Sequence, residues 1–187
     1  NARAMLRLCD AYRKVGQFDI ALGHCEDAAE TDPTYTQAQY RYGLLLYSNR
    51  QFDRAQVYLQ RCVENDPSNL ECEYRLGLTY YYQFLSRTAL AQTLTDESQR
   101  AELLADSDSL CETAWDMLQT SLNMAQNNAA PAETLENIRL GLGLVSRDCP
   151  AYNGRAALPL TLDATATPEP PLELTPVSDA TATTDEQ

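Results

Sequence analysis

The sequence predicts an all-α protein: a solenoid of antiparallel helix hairpins, closed by a C-terminal capping helix and followed by an extended Pro/Thr-rich tail. Three observations predict it. Residues recur every 34 positions through the first half of the chain: Phe18 and Phe52, Ala21 and Ala55, Pro33 and Pro67, the series Tyr12, Leu46 and Tyr80, and the glycines Gly43 and Gly77 with Cys9 in their place in the first copy. A period of this length marks stacked helix pairs that bury one continuous core. Apolar residues fall three or four apart on either side of short polar turns, the pattern of helix hairpins. Six cysteines also fall in pairs placed symmetrically about the turns.

The first repeat covers about 2–35. The second, 36–69, joins periodic segments at 34–48 and 52–64. The third, 70–128, follows Asn69 with ECEYRLGLTYYYQF and is expanded: residues 91–109, rich in Thr, Asp, Ser and Glu, are expected to lengthen it before a second helix near 110–126 that carries Trp115, Leu118 and Leu122. Pro131 opens a last helix, 131–147, with Leu135, Ile138, Leu142 and Val145 on one face, read as the cap over the end of the stack. The helical domain therefore spans 1–150. From Ala151 the helical period stops, and 151–187 is a separate acidic tail whose Pro, Thr and Ala content is expected to be extended.

The small residues where helices touch, the aromatic after each turn, and the Asp-Pro that closes each repeat in TDPTY and NDPSN resemble the tetratricopeptide-repeat family over roughly residues 2–90. The resemblance implies binding, because in such proteins the first helix of each pair lines a concave groove that holds an extended peptide. Here those helices carry Arg7, Arg41 and Arg75 at the full period, Tyr40 with Tyr74, Tyr47 with Tyr81, and the adjacent Tyr82. As a groove, this face offers guanidinium groups to carboxylates and aromatic surfaces to Pro and aliphatic side chains. The competing reading places the tyrosines in packing between repeats and leaves the arginines solvated. Family members that grip the acidic C-terminus of chaperones use a lysine and asparagine clamp. Leu6, Tyr40 and Asp10 depart from that pattern, so a chaperone tail is not the expected ligand.

Six cysteines allow fifteen pairings, and the helix order selects one. Cys9 and Cys25 are each eight residues from Gln17, Cys62 and Cys72 each five from Pro67, and Cys111 and Cys149 each nineteen from Ala130. Residues equidistant from a hairpin turn come opposite each other, so the expected disulfides are Cys9–Cys25, Cys62–Cys72 and Cys111–Cys149. The alternative treats each Cys as a small buried hydrophobe at a close-approach site. Three disulfides imply an oxidising location, extracellular or at the cell surface, or else the periplasm. Asn1 leads almost at once into helix-forming sequence, the start expected of a processed product and compatible with secretion.

No catalytic constellation is visible, and the protein is expected not to be an enzyme and to need no cofactor. The lone His24 stands beside Cys25 without a Ser or Asp arrangement. Gly141 and Gly143 lie too late in an apolar helix to cradle phosphate, and Asp106, Asp108 and Glu112 lack the glycine of a calcium loop. No Cys-x-x-Cys or Cys/His cluster suggests zinc. The tail sets one Arg155 against six acids, so it holds −5 of the total −13, and the body is acidic too. That balance argues against nucleic acid or an anionic membrane as partner. No apolar run reaches the roughly 20 residues that span a bilayer.

The tail contains a ligand suited to the groove. Leu158, Leu160 and Leu162 alternate in LPLTL, as do Leu172 and Leu174 in PLELTPV; PEPP between them favours polyproline II, and Glu169 and Glu173 match the arginines. Thr161, Thr165, Thr167, Thr175, Thr181, Thr183 and Thr184, flanked by Ala and Pro, are candidate O-glycosylation sites. The expected function is a protein–protein interaction and assembly module: a secreted structural subunit that polymerises head to tail, its tail held by a neighbouring copy. The alternative is a monomeric cell-envelope adaptor whose groove binds an extended peptide of another protein.

Overall fold

The computed structural model describes residues 1–152, and the tail-anchor leucines, candidate glycosylation threonines and tail acids lie outside them. Seven α-helices follow one another: α1 Ala2–Lys14, α2 Phe18–Thr31, α3 Thr36–Ser48, α4 Phe52–Asn65, α5 Leu70–Thr93, α6 Glu97–Asn127 and α7 Ala132–Asp148, with a 3-10 turn at Pro150–Tyr152. Each helix packs on the next in the chain, so α1–α2, α3–α4 and α5–α6 form hairpins and α7 closes the end of the stack. No strand occurs among the described residues.

Local chemistry sets the boundaries. The Asn1 side chain accepts from the Arg3 amide at 3.1 Å and starts α1. Between repeats, Asp32 accepts from the Thr34 amide and hydroxyl, and Asp66 does the same for Ser68, so Asp-Pro forms the same turn twice. The turns within the first two hairpins each use one left-handed residue, Gly16 (φ 77°) and, one period later, Arg50 (φ 57°), and the turn between α6 and α7 uses Ala129 (φ 48°). Glycine adopts this conformation freely, whereas other residues lose about 1–2 kcal/mol there.

Close approach needs small residues. A Cβ on Gly43 would lie 2.8 Å from Leu59 Cγ across the α3–α4 contact, and one on Gly77 would lie 3.1 Å from Leu118 Cγ across α5–α6. Leu46, Leu59, Leu76, Leu78, Leu118, Ile138, Leu142 and Val145 fill the continuous core.

The cysteines meet in the three sequential pairs, with Cα separations of 5.2 Å for Cys9–Cys25, 5.9 Å for Cys62–Cys72 and 6.0 Å for Cys111–Cys149. The first ties α1 to α2, the second joins two repeats through α4 and α5, and the third fastens the end of α7 to α6. Closing loops of 10 to 38 residues restricts the unfolded chain by about 2.7–3.9 kcal/mol per bridge.

One expectation needs correction. Residues 91–109 are not an insertion ahead of a helix at 110–126: α5 runs to Thr93 and α6 begins at Glu97, leaving only a short break. Asp96 caps α6 by accepting from the Gln99 amide at 3.0 Å. The buried positions of α6 are Ser107, Cys111, Ala114, Leu118, Ser121, Leu122 and Ala125, a helical series partly written in serine. Ser107 and Ser121 are tolerated inside because each hydroxyl donates to the carbonyl four residues earlier, at 2.7 and 2.9 Å. Asp106, Asp108 and Glu112 lie on the exposed side of this helix. Pro131 precedes α7 as its N-cap rather than forming its first residue.

Candidate peptide-binding face

The first helix of each hairpin carries the periodic arginines and tyrosines. Arg7 on α1 is exposed. Arg41 on α3 keeps 37% of its side chain exposed, stands over the Tyr40 ring at 5.7 Å, and has its Nε 3.5 Å from Asp10 Oδ1 on α1. Arg75 on α5 lies over two rings, Tyr74 at 5.5 Å and Tyr47 at 5.8 Å. Guanidinium groups over aromatic faces are held by the ring quadrupole, which fixes these side chains on the helices they join.

The tyrosines divide into two groups. Tyr40, Tyr74 and Tyr82 are half-buried and present an edge to solvent. Burial raises the Tyr40 hydroxyl to about 12, with the Glu71 carboxylate of α5 adding to the effect, so Tyr40 stays a neutral donor between α3 and α5. The Tyr74 hydroxyl donates to the Asn137 carbonyl of α7 at 3.3 Å. The other two correct the groove expectation. Tyr47 is 1% exposed and Tyr81 2%, so neither offers a surface to a ligand. Tyr47 is enclosed by Phe52 and Tyr82, both edge-on at 5.7 Å. Tyr81 donates to Asp148 Oδ2 at 2.5 Å, which braces α5 against the end of α7. Hydrogen bonds from Arg147, and the one from Tyr81, hold the Asp148 carboxyl below its ordinary range. A period places two residues at equivalent positions but does not say which side of the helix faces solvent, so it could not separate the two groups.

The remaining singled-out aromatics are structural. His24 stacks on Tyr12 at 5.4 Å, joining the two helices of the first hairpin. Trp115 stacks on Tyr152 at 4.8 Å, securing the last described turn against α6.

With this geometry in place, the comparison with known families becomes informative. Residues 14–92, from the end of α1 through nearly all of α5, match the family model described as anaphase-promoting complex, cyclosome, subunit 3, a tetratricopeptide-type repeat family. The repeats in that stretch are of the tetratricopeptide type. No curated protein matches the sequence. Tetratricopeptide repeats are typically non-enzymatic scaffolds for protein–protein interaction. No described helix is long and apolar enough to cross a membrane.

The periodic register exposes one feature that sequence reading missed. Ala4, Leu8 and Ala11 form one stripe of α1, and all three are exposed, Leu8 at 46%. One and two periods later the same positions are Ala38, Tyr42 and Leu45, then Cys72, Leu76 and Thr79, and all six are buried. In α5 Cys72 on this face bonds to Cys62 of the preceding hairpin, and in α3 Tyr42 packs edge-on against Tyr58 of α4. In α1 no described residue covers it.

Proposed function

We propose that the domain is an assembly module whose copies stack head to tail, the α7 end of one solenoid covering the Ala4–Leu8–Ala11 stripe of the next. The observation that carries the reading is that stripe: apolar residues of α1 are exposed at the positions that are buried in α3 and α5. A contact between unlike ends is heterologous, so it closes into a ring or continues as a filament. The acidic tail, with alternating leucines around Glu173, is donated to the neighbouring copy and adds a second contact. In this reading the protein catalyses nothing, binds no cofactor, and works in an oxidising compartment, outside the cell or at its surface, where three disulfides persist. Threonines of the tail would carry O-linked sugars in that setting.

Negative-stain electron microscopy of the full chain, of Leu8→Glu, and of a chain ending at Ala157 tests this. Rings or filaments are expected for the full chain and dispersed particles for both variants. Leu8→Glu should melt within a few degrees of the parent, since surface substitutions of this kind change stability by about 0.5 kcal/mol or less. Dispersed particles of the full chain would overturn the assembly reading and favour the monomeric adaptor.

A further inference from the structure

A cavity of about 310 Å³ opens beside the turn between α3 and α4, against α5 and α6. Two guanidinium groups, Arg50 and Arg87, line it together with Phe52, Leu90 and Leu103. Neither guanidinium group makes a hydrogen bond, ion pair or cation–π contact among the described residues, although the Arg50 charge acts on the Tyr82 hydroxyl, whereas Arg41, Arg54, Arg61 and Arg75 are all engaged. Arg50 is also the residue in the left-handed turn, in the position that Gly16 fills one repeat earlier.

The floor of the cavity contains Gln83, 2% exposed. Its Nε2 donates to Asp53 Oδ1 and Gln56 Oε1, both at 2.8 Å, which fixes the amide orientation, because a flip would set its oxygen against a carboxylate. Its Oε1 is buried with no partner. The cavity thus sets two arginines against one carboxylate, Asp53, which is already held by Gln83, and offers an apolar rim.

We propose that this cavity is the seat of the tail segment Leu172–Glu173–Leu174, with the Glu173 carboxylate between Arg50 and Arg87 and the leucines against Phe52, Leu90 and Leu103. The proposal rests on the tail-donation reading above. Of the six tail acids, Glu173 alone has a leucine on each side, and adjacent side chains of an extended segment point to opposite sides, which suits a site with a charged and an apolar wall. The 21 residues from Tyr152 to Glu173 reach up to about 70–75 Å, further than the roughly 47 Å length of α6, so the cavity is within reach in the same copy or the next.

The test places p-benzoylphenylalanine at position 172 of the full chain, irradiates it, and maps adducts by peptide mass spectrometry. Adducts are expected within residues 83–103. Arg50→Gly should lower their yield about tenfold while raising the melting temperature by about 2–4 °C, because glycine relieves the turn. Arg87→Glu should lower the yield similarly, and combining it with Glu173→Arg should restore it. Adducts on the Tyr40 and Tyr74 face, adducts nowhere on the body, or an Arg50→Gly yield equal to the parent would each overturn the proposal. Filaments without cavity adducts would defeat the seat alone, whereas cavity adducts confined to single chains, with dispersed particles, would support the seat and defeat the assembly.

Discussion

Replacing Glu73 by glutamine should stabilise the domain. The last four carbonyls of a helix have no partner within it, and Ala29 is one of these in α2. Gln39, fully buried on α3, donates its Nε2 to the Ala29 carbonyl at 2.7 Å. One period later the corresponding pair is Val63 and Glu73. Glu73 is 7% exposed, its carboxylate makes no hydrogen bond or ion pair among the described residues, and burial pushes its pKa up. An ionised carboxylate has no proton to donate, so it cannot repeat what Gln39 does. Restoring a neutral donor should be worth about 1 kcal/mol, a rise of about 2–4 °C in melting temperature at neutral pH. The sign with pH follows from the raised value. The folded chain holds the Glu73 proton more tightly than the unfolded one, so the stability of the neutral form is fully present below the ordinary glutamate pKa of about 4.3 and is lost as pH rises through the folded value. Calorimetry of Glu73→Gln and parent at pH 7.5 and pH 3.5 should show a gap that shrinks on acidification. A variant no more stable than the parent at pH 7.5, or a gap independent of pH, would refute the reasoning.

Two further substitutions probe the packing. Gly43→Ala should destabilise by about 1–2 kcal/mol, since the new Cβ would lie 2.8 Å from Leu59 Cγ and 3.3 Å from its backbone nitrogen, and the overpacking exceeds the gain in helix propensity. Gly23→Ala on α2 meets nothing within 4 Å and should stabilise by about 0.8–1 kcal/mol; in parallel thermal melts a rise for Gly43→Ala or a fall for Gly23→Ala would contradict the corresponding assignment. Tyr81→Phe removes the hydrogen bond to Asp148 and should cost about 1.5–3 kcal/mol. Because the Asp148 pKa is held low, that cost should fade as pH drops through its folded value, and a melting difference unchanged between pH 7 and pH 2 would count against the brace.

The period made α1 to α4 legible because each boundary is marked by a residue with one local task, such as Asp32 and Asp66 in the inter-repeat turns. It failed at α6 because Ser107 and Ser121 are polar by composition yet hide their hydroxyls on their own helix, which hydrophobic periodicity cannot register. It also misassigned Tyr47 and Tyr81, since aromatic rings at helical spacing serve a groove and a core equally well until the neighbouring helices are in place. Arg50 was within reach of the sequence: it stands one period after Gly16, in a turn that asks for glycine.

The two proposed contacts are mutually consistent in geometry. The Leu8 stripe lies at the first hairpin, the cavity lies between the second and third, and the tail leaves from the α7 end. In a head-to-tail stack, a tail must therefore cross the first hairpin and part of the second of the next copy. With helix axes about 8–10 Å apart, that is about 40 Å, well inside its reach of about 70–75 Å. The stacking contact then makes tail capture effectively intramolecular, at a local concentration that a short flexible linker sets near millimolar. Each contact alone can be weak while the pair is strong, which would explain how an acidic body, repelling its own copies, could still accept an acidic segment at Arg50 and Arg87.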